Sequence, residues 1–185
     1  METRIIIAGS GGQGILFLGK VLSFAGMLEG KEVTWFPSYG AEMRGGTANC
    51  TVILSGSMIG SPVVLSPDIL VIMNKASFDK FQPRLKKHGL LFYDRSLVPA
   101  PRVRPDVRPV PVPATEIASS AGNTRSANMV MMGAVLAETG LVKRSSALKV
   151  IEGPSKSTGG NGIRLNTNSM LKGMQYIEDT KGSHR

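Results

Sequence analysis

One cysteine, Cys50, stands in the whole chain, so neither an intrachain disulfide nor a four-cysteine iron–sulfur cluster is possible. The two histidines, His88 and His184, are far apart in sequence, and no metal site is expected. Aromatics make up 5% of the residues, too few for a surface that stacks single-stranded bases. No apolar run is long enough to span a bilayer; the longest helical one covers residues 129–137. At the N-terminus, METRIIIAGSGG breaks from isoleucines directly into glycines. That is the pattern of a buried strand and its turn, not of a secretory leader. A cytoplasmic protein off the membrane is the expectation.

Acids are also scarce. Lys and Arg number 22 against 13 Asp and Glu, and the resulting +9 points to an anionic partner or to a plain soluble surface. Arg102, Arg104 and Arg108 cluster, but prolines rather than aromatics separate them, and no nucleic-acid motif accompanies them. Nucleic acid is therefore not an expected partner. At 42% hydrophobic residues, the chain has enough apolar material for a core of its own.

Apolar periodicity predicts a strand over residues 4–8, a helix over 15–29 stopped at Gly30, and strands over 32–36 and 47–54. After the turn Ser55-Gly56-Ser57, residues 58–64 read as a returning antiparallel strand. Another buried strand follows over 69–73, then an amphipathic helix over 76–87 blemished by Pro83, and a strand over 90–93. Six prolines between 98 and 113 read as a surface loop running into an edge strand near Val110 and Val112. A helix starts near Thr115, whose hydroxyl is placed to cap it. Residues 128–138 are apolar nearly all round, with Met129, Met131, Met132 and, by packing, Met170. Such a helix is either central or turned to a partner subunit or second copy. Residues 153–162 read as a loop. Asn166 or Asn168 caps a last helix whose stripe is Leu171, Met174 and Ile177 or Glu178. The order strand, glycine turn, helix, strand predicts an α/β fold. We expect a single Rossmann-like domain over residues 1–185, with a mixed, mainly parallel sheet flanked by helices.

Gly9-Ser10-Gly11-Gly12-Gln13-Gly14 follows a strand and opens a helix. Glycines there let a backbone approach a phosphate, and the helix N-terminus offers free N–H donors. A dinucleotide site also needs an acid at the end of the second strand, which ends Trp35-Phe36-Pro37-Ser38 without one. Another anion, or a purely structural turn, remains open. Lys20 reaches a phosphate or snorkels on the surface, and Val21 stands where a P-loop carries Ser or Thr. The segment PSYGAEMRGG, residues 37–46, sets Tyr39, Glu42 and Arg44 beside Gly45 and Gly46. Arg44 presents a five-donor fork to a carboxylate or phosphate, or pairs locally with Glu42. Cys50 is apolar filler. Asn74 holds a ligand or caps a helix, and Asn128, inside an apolar helix, needs a backbone or ligand partner.

The segments RIIIAGSGGQGILFLGKVLSFAG, FPSYGAEMRGGTANCTVILS, IGSPVV, PDILVIMN and NTRSANMVMMGAVLAETGLV occur in this order. Together, over about residues 4–142, they resemble the γ subunit, or γ domain, of 2-oxoacid:ferredoxin oxidoreductases, with PSYGAEMRGG closest to the 2-oxoglutarate branch. The resemblance implies a subunit inert alone and without a catalytic residue of its own. It implies partnership with α, β and ferredoxin-like chains that carry thiamine diphosphate, Mg and Fe–S clusters, and CoA at the surface of this chain. Gly9, Gly11, Gly12, Gln13 and Gly14 match the family's glycine turn. Tyr39, Glu42, Arg44, Gly45 and Gly46 match its RGG loop, and Asn74 and Asn128 match family asparagines. The competing reading is a stand-alone nucleotide-binding protein that uses the same turn.

Overall fold

The structure is a computed structural model that describes residues 2–38, 47–153 and 160–183. Six strands form one sheet: β1 (Glu2–Ser10), β2 (Glu32–Ser38), β3 (Thr47–Ser55), β4 (Ile69–Ile72), β5 (Leu90–Asp94) and β6 (Arg108–Val112). Their spatial order is β2-β3-β1-β4-β5-β6. The pairs β1–β4, β4–β5 and β5–β6 are parallel, whereas β3 runs antiparallel to both β1 and β2. The expected mixed α/β sheet is present.

β1 lies in the middle and is covered on both faces, which is why Ile5, Ile6, Ile7 and Ala8 are apolar without alternation. Ile5 and Ile7 join the core on one face of the sheet. Ile6 and Ala8 join the core on the other. The first face carries α1 (Ile15–Leu28), α3 (Ala114–Ser120), α4 (Ala127–Thr139), α5 (Arg144–Glu152) and α6 (Gly160–Gly182). The second carries α2 (Lys75–Phe81) through Phe78 and Phe81. α1 sits close on the sheet because two glycines seven residues apart face it. A Cβ on Gly19 would lie 2.5 Å from the Cys50 sulfur, and one on Gly26 would lie 2.7 Å from Leu54 Cδ2. Cys50 is filler there, fully buried, and burial pushes its thiol up to about 12, with the Trp35 indole pulling weakly the other way.

α4 is buried from Ala127 to Leu136, so the methionine-rich helix is central. Against it lies α6, at a crossing so close that a Cβ on Gly133 would overlap the Met170 carbonyl and one on Gly173 the Val130 carbonyl. A buried Ser126–Ser169 hydroxyl contact of 2.6 Å marks the same seam.

Four expectations are corrected. Residues 58–64 form no strand: both sides of β3 are already paired, and Arg84 instead bonds the Val64 and Leu65 carbonyls at 2.6 and 3.0 Å. The helix expected over 76–87 ends at Phe81 and tightens into a 3-10 turn at Gln82–Arg84, where Pro83 removes a donor. Thr115 does not cap α3. It lies one residue inside, and its hydroxyl and amide both bond Asp94 Oδ2, at 2.5 and 3.1 Å. The last helix begins at Gly160, so Asn166 and Asn168 are interior and Gly160–Gly162 is not loop. Its buried stripe is Ser169, Met170, Gly173 and Ile177, because Gly173 must face α4. Residues 154–159 of the expected loop lie outside the described residues.

The proline-rich segment does lead to an edge strand. Pro109 and Pro111 sit in β6, which pairs only with β5, so no ladder donor is lost on the open side. The arginine cluster beside it is tied down. Arg104 holds Asp106 at 2.6 Å and three backbone carbonyls, and Arg108 faces Glu138 at 3.6 Å. No helix among the described residues is long and apolar enough to cross a membrane.

Candidate functional site

β1 leads through α1 to one face of the sheet, and its parallel neighbour β4 leads through α2 to the other. The C-terminal ends of these two strands therefore diverge, and a crevice opens where α/β folds take ligands. A cavity of about 230 Å³ lies there, lined by Gly12, Gln13, Met73, Leu97, Thr115, Thr124, Arg125 and Ala127.

The glycine turn forms one wall. Gly12 and Gly14 have φ of 87° and 71°, a conformation that side chains resist. Nothing lies within 4 Å of a Cβ on Gly12, whereas one on Gly14 would collide with the Asn128 amide. Gln13 clamps the turn: its Oε1 accepts the Ser10 N–H at 2.6 Å and its Nε2 donates to the Met73 carbonyl at 2.9 Å. Asn74 donates to Ser10 Oγ at 2.5 Å while its Oδ1 caps α2 by accepting the Ser77 N–H at 2.9 Å. Asn128 reaches from α4 to the Gly14 carbonyl at 3.1 Å. All three amides are committed to holding the turn. No side chain caps α1, and its first turn carries no acid. Its N-terminal donors and positive dipole end are therefore engaged by no side chain among the described residues.

The opposite wall supplies the cation. Arg125, in the 3-10 turn Thr124–Ser126 before α4, is the one charged side chain lining the crevice among the described residues. Its guanidinium makes no hydrogen bond or ion pair among them. Arg125 is not among the residues selected from the sequence; its one signal there is an arginine next to a helix start. Lys20, by contrast, is not in the lining, and its ammonium sits 5.9 Å from the Trp35 ring centroid. Tyr39, Glu42, Arg44, Gly45 and Gly46 lie outside the described residues. The ends of their segment are placed, however: Ser10 pairs with Thr47, and Ser38 pairs with Asn49. The RGG segment thus leaves and re-enters the sheet at the end that carries the glycine turn.

A dinucleotide's ribose would need the strand next to β1 to end in an acid. Here β1's neighbours are the antiparallel β3 and the parallel β4, which runs out through Met73 and Asn74, and β2 ends Pro37-Ser38. Among the described residues no group of three or more His, Cys, Asp or Glu could hold a metal ion. With Gln13→Ala, the Ser10 amide and the Met73 carbonyl both lose their partners. At about 1 kcal/mol for each bond and about 2–4 °C per kcal/mol, calorimetry should show a melting midpoint lower by about 4–8 °C.

Fold and crevice define an α/β module whose glycine turn lines a cleft at the C-terminal ends of β1 and β4. The chain belongs to the pyruvate ferredoxin/flavodoxin oxidoreductase family, whose model matches residues 4–176. It is 42% identical to the ketoisovalerate oxidoreductase subunit VorA of Methanothermobacter marburgensis over 74% of this chain. Only 28% of that relative is covered, so this chain spans little more than a quarter of its length. It is 36% identical to the 2-oxoglutarate synthase subunit KorC of Methanocaldococcus jannaschii, over 82% of each. Among solved structures, the fold is that of a 2-oxoglutarate:ferredoxin oxidoreductase from Magnetococcus marinus with 2-oxoglutarate, coenzyme A and succinyl-CoA bound. There the TM-score is 0.86 at 23% identity, covering 96% of this chain and 31% of the other.

Proposed function

We propose that this chain is the γ-type subunit of a cytoplasmic, multi-chain 2-oxoacid:ferredoxin oxidoreductase and that its crevice holds the phosphate end of CoA. The observation that carries the proposal is that the glycine turn leading into the uncapped α1 and Arg125, without a side-chain partner among the described residues, line the same cavity of about 230 Å³. That volume suits a diphosphate and leaves the rest of CoA outside. Thiamine diphosphate with Mg and Fe–S clusters, on the α, β and ferredoxin-like partner chains, supplies the decarboxylation and the electron path. This chain's own residues bind and orient. The amides of Gly11, Gly12 and Gly14 and the first turn of α1 receive one phosphate, and Arg125 pairs with its neighbour. Arg44, from the segment beginning at the same end of the sheet, adds a second cation. Gln13, Asn74 and Asn128 hold the turn open, and no residue here touches the reacting carbon.

For the substrate we propose 2-oxoglutarate, on the PSYGAEMRGG segment. A branched-chain 2-oxoacid is the second reading, carried by the higher identity to the ketoisovalerate relative. Purification through a tag on this chain from its native source, with assays on both substrates, tests the proposal. Recovery of a thiamine-dependent chain, with CoA-dependent turnover of 2-oxoglutarate, is the expected result. A monomer that binds a dinucleotide by itself would establish the stand-alone reading instead.

A further inference from the structure

A second, larger cavity lies away from the crevice. It is a groove of about 770 Å³ between the C-terminal halves of α1 and α5, lined by Phe24, Met27, Leu28, Lys149, Val150 and Glu152. On α1 the inward face is fully packed, yet the outward face is also apolar: Phe17, Phe24, Met27 and Leu28 remain 42%, 46%, 58% and 59% exposed. With large side chains of about 200 Å² each, roughly 400 Å² of apolar surface is left open, in the range that marks interaction sites.

The charge around this stripe selects its occupant. α1 contains no acid, and its one charge, Lys20, stands on the outward face between Phe17 and Phe24. Lys149 lines the groove, opposed by Glu152. A second copy would set one +9 chain against another. Residues 154–159, PSKSTG, carry no large apolar side chain to fill the groove from within. In the ketoisovalerate relative this domain is about a quarter of a longer chain, so the remaining polypeptide is covalently joined to it.

We infer that the outward face of α1, with the α1–α5 groove, docks the thiamine-dependent catalytic chain through an apolar ridge flanked by acids; this rests on the subunit reading above. The ridge fills the groove, and its carboxylates meet Lys20 and Lys149. Docking on α1 leaves Gly12 and Arg125 open, on the far side of the glycine turn.

The test uses this full chain and the thiamine-diphosphate-dependent chain from the same source, mixed and measured by titration calorimetry and native mass. Phe24→Glu/Leu28→Glu alters only side chains already about half exposed. It should weaken the heteromeric Kd roughly 100-fold or more, as loss of two anchors does. Lys20→Glu, which alters none of the four apolar side chains of the stripe, should weaken it by about tenfold. Met58→Glu, at a side chain 90% exposed in another segment, should leave it unchanged. Wild-type affinity in the double variant and in Lys20→Glu would overturn the inference and leave the subunit reading standing. A homodimer lost in the double variant while the heteromeric Kd holds would overturn it in favour of a second copy. If folded wild-type chain binds no catalytic chain at all, both readings fall.

Discussion

Replacing Arg125 by alanine should raise the KM for CoA of the assembled oxidoreductase about 10- to 100-fold while leaving kcat close to wild type. The size follows from the about 1.5–3 kcal/mol of a hydrogen bond to a charged group, and the split follows from where the residue acts. Arg125 lines the crevice with Gly12, and in the proposed role it holds a remote phosphate, so it would bind ground state and transition state alike. Arg125→Lys keeps the charge but not the planar fork and should recover only part of the loss. The melting midpoint should not move, because the guanidinium makes no hydrogen bond or ion pair among the described residues. A fall in kcat at unchanged KM would move Arg125 out of CoA binding.

Gly133→Ala should be among the most destabilising single-methyl additions in the chain, and Gly173→Ala its counterpart. Each added Cβ meets a backbone carbonyl of the facing helix, Met170 for the first and Val130 for the second, so no rotamer change relieves it. The helices must separate, and α4 is buried on all sides. Overpacking of about 3 kcal/mol, at about 2–4 °C per kcal/mol, lowers the melting midpoint by about 6–12 °C. Gly60→Ala, where nothing lies within 4 Å of the new methyl, is the control and should change little.

The sequence carried the glycine turn plainly, because only φ above zero and close backbone approach explain Gly12 and Gly14 after a buried strand. It also carried the proline-bearing edge strand, since β6 loses no ladder bond by having Pro109 and Pro111. Strand order was not legible. The placing of β3 between β1 and β2 depends on pairings made far apart in the chain, and that placing left residues 58–64 no free edge of β3 to join. Asn74 and Asn128 stood out as polar residues in apolar surroundings. Whether each met a ligand or the backbone was a question of distance, and both meet the turn. Arg125 was harder to select, since one arginine among 22 basic residues acquires meaning only when α4 carries it across from Gly12. The glycines at 133 and 173 carry no signal of their own in the sequence, and only the crossing of α4 and α6 gives them a purpose.

In the proposed role this chain holds CoA for chemistry performed on other chains. The decisive measurement of that role is acyl-CoA formation from 2-oxoglutarate, with ferredoxin as acceptor, by the partner chains with and without this one. The expected result is no acyl-CoA from this chain alone, little from the partners alone, and full CoA-dependent turnover when the two are combined. Full turnover by the partners without it, at an unchanged KM for CoA, would contradict it.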